Sequence, residues 1–130
     1  LDEFMFNEQE FTNAITISRG EPDMERKEVD EPDFKSTMDD YNNVIRQNPN
    51  LPFVYYNRAN VQLSLKEYHR AIDDYSRAIE LEPALAEAYY NRALTLLFLE
   101  ENELACKDLS EAGELGITEA YNVIKRYCHK

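Results

Sequence analysis

Tyr55-Tyr56-Asn57-Arg58-Ala59 returns as Tyr89-Tyr90-Asn91-Arg92-Ala93, the same five residues in the same order. Laid over one another without a gap, residues 55–81 and 89–115 agree at 14 of 27 positions, at an offset of 34 residues. A fixed period of that length marks a supersecondary unit stacked on copies of itself, each covering an apolar face that its neighbour cannot bury alone. Such stacks present long surfaces to other molecules and seldom enclose catalytic pockets.

Outward from this stretch, the helical code is punctuated by proline and glycine. Pro52 stands where a helix start needs no N–H and opens a helix to about Leu65. A turn at Lys66-Glu67 leads to a second helix over 68–81, stopped by Pro83. The next copy places helices over 86–99 and 102–115, with Gly116 as the left-handed residue that closes the last of them. Upstream, Phe34, Met38, Tyr41, Val44 and Ile45 recur at spacings of three and four. Pro49 lies in register with Pro83, so residues 34–48 read as the second half of a repeat whose first helix, expected over 18–31, is missing or degenerate. A final helix over 118–128 is expected to bury Tyr121, Ile124, Tyr127 and Cys128, and to show Asn122, Lys125, Arg126 and His129 to water. A terminal helix with a polar outer face ends an array without exposing its core.

Residues 1–33 carry no such code. They read as an acidic irregular arm with room for one short strand, since Ile15-Thr16-Ile17-Ser18 alternates apolar and polar. Acidic residues with Pro22 and Pro32 dominate residues 20–33, the composition of an exposed linker. No function attaches to the arm.

Composition narrows the partners. The chain has 130 residues, 43% of them hydrophobic, and a formal net charge of −12. Phosphate binding needs a basic face, so a nucleic-acid partner is not expected, nor is docking on an anionic membrane. No run approaches the length of a membrane span and no signal peptide is visible. The compartment is not legible, and a chain that starts at Leu1 leaves a preceding targeting segment open. Cys106 and Cys128 have no metal-like spacing. Two reduced, partly buried thiols are expected, with a Cys106–Cys128 bridge near the terminal helix as the alternative.

The spacing of residue types within the unit resembles the tetratricopeptide repeat (TPR). That family has an aromatic early in helix A and a small residue four positions on. Helix B then carries an alanine, an aromatic four on and another alanine, and a proline ends the unit. Here these are Tyr55, Ala59, Ala71, Tyr75, Ala78 and Pro83 in the first unit. The second has Tyr89, Ala93, Ala105, Leu109 and Ala112, with Ile117 in place of the proline. Arg58 and Arg92 replace the usual helix A leucine, and the ending resembles the C-terminal module of long bacterial multi-repeat proteins.

The resemblance implies an all-α, right-handed helical-hairpin solenoid: a half repeat (34–48), two repeats (52–83 and 86–116) and a capping helix (118–128). It also implies a concave groove for extended peptides or partner helices. Carried over by position, the groove residues are Phe53, Tyr56, Asn57, Asn60, Leu63 and Ser64 in the first unit. The second unit gives Glu87, Tyr90, Asn91, Leu94, Leu97 and Phe98, and the terminal helix adds Asn122 and Arg126. Asparagine offers a donor and an acceptor to a peptide, and tyrosine offers stiff amphipathic area. The bland alternative is that the tyrosines pack, or that the arm folds into the groove. Some family members clamp a C-terminal carboxylate with lysines and asparagines; Tyr56 and Tyr90 stand where lysine would help, so no such clamp is expected.

Other candidates favour structure over chemistry. Arg58 and Arg92 are expected to pair with acids of a neighbouring helix, ahead of a phosphate or ligand role. Asp39-Asp40 and Asp73-Asp74 point about 100° apart within each pair, which suits a solvated face and no metal site. His69 and His129 lack a suitably placed nucleophile, and no phosphate-cradling loop or metal motif occurs. The expected function is a non-enzymatic protein–protein interaction module, without cofactor or metal, that holds a peptide or helix of another protein. The alternative is a structural cap of a longer array, or a self-associating module without its own ligand.

Overall fold

The computed structural model describes residues 6–18 and 33–129 as seven α-helices, with no strand among the described residues. They are α1 (Glu8–Ser18), α2 (Phe34–Gln47), α3 (Pro52–Ser64), α4 (Tyr68–Leu81), α5 (Ala86–Phe98), α6 (Asn102–Glu114) and α7 (Glu119–Tyr127). The backbone falls into two compact units, Glu21–Pro83 and Leu1–Gly20 with Ala84–Lys130. The division comes after Pro83 and groups α1 with the second hairpin.

In the unit that holds α2, α3 and α4, α3 pairs with α4 and α2 packs on α3. Ala59, Ala71 and Ala78 are fully buried, and so is Tyr75. Without side-chain bulk the alanines bring the paired helices close, and the tyrosine ring fills the space left between them. Asp33 starts α2 by accepting the Ser36 N–H at 3.1 Å. None of the α2 side chains is fully buried, as fits a second helix without its own first. The helix sought over 18–31 and the linker sought over 20–33 lie almost wholly outside the described residues.

In the other unit α5 pairs with α6, α6 with α7, and α1 lies on α5. Ala88, Ala93, Leu94, Ala105, Leu109, Ala112 and Ala120 form its fully buried centre. Cys106 and Cys128 are joined in a disulfide with Cα atoms 5.8 Å apart, not held as the two thiols expected from the sequence. The bond ties α6 to the residue that ends α7. Tyr121, expected inside, is 51% exposed. Its ring lies against Gly113 so closely that a Cβ there would come within 2.8 Å of Cζ. One ring face thus covers α6 backbone while the rest stays in water.

The expected strand is a helix: Ile15-Thr16-Ile17-Ser18 closes α1. Three local devices start α1. The Asn7 side chain accepts the Glu10 N–H at 2.8 Å, and Glu10 Oε2 accepts the Asn7 N–H at 3.4 Å, a reciprocal capping box. Phe6 and Phe11 meet edge-to-face at 6.1 Å across this cap as a hydrophobic staple. Burial of Phe11 and Ile15 then outweighs the β preference of the isoleucines.

Three helix ends share one turn. Past α3, Glu67 N–H reaches the Gln62 carbonyl at 2.8 Å and Lys66 N–H the Leu63 carbonyl at 3.0 Å. Past α5, Glu101 bonds Leu96 at 2.8 Å and Glu100 bonds Leu97 at 3.0 Å. Past α6, Ile117 bonds Ala112 and Gly116 bonds Gly113. This Schellman pattern needs a positive φ, found at Lys66 (61°), Glu100 (63°) and Gly116 (114°).

Candidate partner-binding surface

The expected groove residues separate by exposure within each unit. On α3, Phe53 is 60% exposed, and Asn57 and Ser64 are exposed too. Tyr56, Asn60 and Leu63 are buried. Asn60 accepts the Tyr75 hydroxyl through Oδ1, and the Tyr56 and Tyr75 rings lie 5.9 Å apart. These three residues thus help to hold the hairpin, while Phe53, Asn57 and Ser64 stay open to solvent.

On α5 only Glu87 is open; Tyr90, Leu97, Asn91 and Leu94 are buried, the last two completely. The Phe98 ring is stacked on Phe11 of α1 at 5.0 Å with 12° between planes. On α7, Asn122 and Arg126 are exposed. Arg126 Nη2 meets Glu10 Oε1 at 3.0 Å, and the Tyr127 hydroxyl donates to Glu10 Oε2 at 2.9 Å. Phe6 sets its ring edgewise on Tyr127 at 5.5 Å. One carboxylate of α1 is therefore held by two groups of α7, with aromatic contacts on either side. Burial, and then the Glu10 hydrogen bond and charge, push the Tyr127 hydroxyl up to about 12. Burial first, and the Glu119 charge second, push Tyr90 up as well.

The alternative that the arm folds onto the expected groove residues is what α1 does at Phe98 and Arg126, although its sequence reads as a strand and not as a helix. The signals that could have found it were the Asn7-x-x-Glu10 box and Phe11, Ala14 and Ile15 at helical spacing.

The repeated arginines are structural. Arg58 forms a bidentate pair with Asp74 at 2.7 and 2.8 Å, and a third bond runs from Nη1 to Asn42 Oδ1 at 2.9 Å. Arg92 grips Asp108 at the same 2.7 and 2.8 Å. Each guanidinium also lies over the tyrosine three residues before it, Tyr55 at 5.7 Å and Tyr89 at 5.8 Å. The Asp74 hydrogen bond raises Arg58 above its ordinary value against the opposing effect of burial. Asp74, expected on a solvated face with Asp73, is buried in this pair, whereas Asp39, Asp40 and Asp73 are exposed. Among the described residues no three His, Cys, Asp or Glu side chains gather as metal ligands, and no helix is long and apolar enough to cross a membrane.

Paired helices with buried alanines, repeated at 34 residues and closed by a further helix, define a helical-hairpin repeat protein. A tetratricopeptide-repeat model matches residues 52–85 and a second matches residues 86–115. Residues 52–115 are thus tetratricopeptide repeats. Among solved structures it resembles the first TPR of Spaghetti (RPAP3) bound to the HSP90 peptide SRMEEVD, with a TM-score of 0.69 and 22% identity. That match covers 94% of this chain and 93% of the other. The second TPR of Spaghetti, bound to the same peptide, matches with a TM-score of 0.61 and 19% identity, over 88% of this chain and 99% of the other. No curated protein matches the chain by sequence.

Proposed function

We propose that the chain is a non-enzymatic interaction module that holds a peptide or helix of a partner protein against the first helices of its repeats. The observation that carries this reading is α1. A short amphipathic helix outside the repeats already lies on α5, anchored by aromatic stacking on Phe98 and by one carboxylate between Arg126 and Tyr127. A surface that holds one such segment has the chemistry to hold another. The similar Spaghetti repeats were captured with an HSP90 peptide, which supports a protein ligand for this fold. The net charge of −12 argues against a nucleic-acid partner.

The second reading makes the module a structural cap or a self-associating unit, with α1 as a permanent part of its core. Buried Tyr90, Asn91 and Leu94 favour it, because these expected groove residues are not open to a ligand. Affinity capture from the source cell separates the two, using the native chain beside a Phe53→Ala/Asn57→Ala variant. Both side chains are exposed, so the variant keeps its fold. A partner held by the native chain and lost by the variant supports the interaction reading; equal recovery, or none, leaves the cap.

A further inference from the structure

We propose that the α5–α7 face is a helix-docking surface on which α1 is an exchangeable resident, and that its other occupant is an amphipathic helix of a partner protein. That helix carries an acidic residue followed directly by an aromatic one, then a branched aliphatic residue four positions on, as Glu10, Phe11 and Ile15 do in α1. This rests on the interaction reading and names its partner.

The recognition chemistry follows from what each anchor touches. Phe98 offers a flat ring, which Phe11 covers in parallel. Arg126 and the Tyr127 hydroxyl converge on one carboxylate, so a neutral or basic residue there would leave both donors without their acceptor. In α1 the two anchors are sequence neighbours, Glu10 on Arg126 and Tyr127 and Phe11 on Phe98, and the ligand motif is written from that pairing.

Two features make α1 a resident rather than fixed core. Among its described side chains Phe11 and Ile15 are the buried ones, and the Arg126 side chain that holds its carboxylate is 59% exposed. At 11 residues α1 is also shorter than a helix that persists alone in water, so its order depends on docking.

One feature points to a foreign helix rather than a second copy of this one. Beside Phe6 a cavity of about 380 Å³ stays unfilled, walled by Leu97, Phe98 and Tyr127 and rimmed by Glu100 and Asn102. Phe6 and Asn7 of the α1 cap line its remaining side. A partner with a larger aromatic residue at that place gains contacts that α1 lacks. It needs them, because a tethered α1 competes at an effective concentration of order mM.

The test is fluorescence anisotropy with a labelled peptide of residues 6–18, and with the same peptide carrying Phe6→Trp. The native chain is compared with the full-length Phe11→Ala/Ile15→Ala variant, whose fold is checked by circular dichroism. The variant is expected to bind the peptide about tenfold tighter, since its own α1 no longer competes. The tryptophan peptide is expected to bind tighter than its parent, and Arg126→Glu in the variant to abolish both. No gain in the variant, or binding indifferent to Arg126, overturns the proposal. Should the double variant unfold, Glu10→Ala decides, because it keeps both buried side chains and removes the charged anchor together with the Glu10 half of the capping box, each of which loosens α1; about threefold gain is expected, and none overturns the proposal. Dimers of the native chain that dissociate on Phe11→Ala would assign the face to a second copy and overturn the foreign helix. Peptide failure with partner capture still dependent on Phe53 and Asn57 overturns this proposal alone; failure of both removes the interaction reading too.

Discussion

Arg58 and Asp74 are joined by two parallel hydrogen bonds, Nε to Oδ2 at 2.7 Å and Nη2 to Oδ1 at 2.8 Å, which bind the first helix of the hairpin to the second. Arg92 and Asp108 reproduce both distances in the other hairpin. The carboxylate side chains are only 9% and 10% exposed. Water therefore screens these pairs far less than it screens surface ion pairs.

Removing one member strands the other as a buried charge. Asp74→Ala and Asp108→Ala are each expected to lower stability by about 2–3 kcal/mol in urea unfolding. Arg92→Met with Asp108→Leu is expected to cost less than Asp108→Ala alone, because no uncompensated charge remains. A double variant worse than the single would show that the pair contributes net attraction.

Gln62 is the local misfit. Its Oε1 is buried without a hydrogen-bond partner, and the residue in register one repeat later is Leu96, also buried. Gln62→Leu replaces an orphaned acceptor with the side chain the other repeat already uses. A gain of about 1 kcal/mol is expected in the same unfolding assay.

Lys66 and Glu100 hold the turn conformation that Gly116 holds without strain. A Cβ in the left-handed region costs about 1 kcal/mol, and both side chains are exposed. Lys66→Gly and Glu100→Gly are each expected to raise the melting temperature, offset in part by greater freedom of the unfolded chain. A fall at both sites would mean that the side chains, rather than the turn geometry, stabilise these ends.

The raised tyrosines set an alkaline limit. Tyr127, pushed up to about 12 from an ordinary 10.0, keeps its proton more tightly folded than unfolded. Tyr89 and Tyr90 shift the same way, burial leading in both. The stability they contribute is complete below pH 10 and is lost as pH rises toward 12. Glu10→Gln is expected to lower the Tyr127 value and shift the alkaline unfolding midpoint accordingly, read by ultraviolet titration of tyrosinate. An unchanged midpoint would detach Tyr127 from Glu10.

The hairpins were legible because their determinants are local and occur twice: alanines at close approaches, prolines at ends, and a recurring Tyr-x-x-Arg. The arginine–aspartate pairing followed from the same register for Arg58 and Arg92, but Asp74 was misplaced because adjacency to Asp73 says nothing of which face each occupies. In α1 two local signals competed. The alternation of Ile15 to Ser18 outweighed the capping box at Asn7 and Glu10, and only docking on Phe98 decides between them. The disulfide and Tyr121 depend on how α7 rests on α6, which no sequence period reports. On the surface, Phe53, Asn57 and Arg126 are exposed where the register put them; Asn91 and Leu94 look alike in sequence whether open or covered.

The Cys106–Cys128 bond also changes how the chain transmits force. A pull on the C-terminus passes from Cys128 through sulfur into α6, so the intervening backbone, spanned by a sequence separation of 22, bears no tension. Under reducing conditions the same pull peels α7 away first and lengthens the molecule by about 75 Å at full extension. The oxidised protein is thus a shorter, stiffer tether than the reduced one.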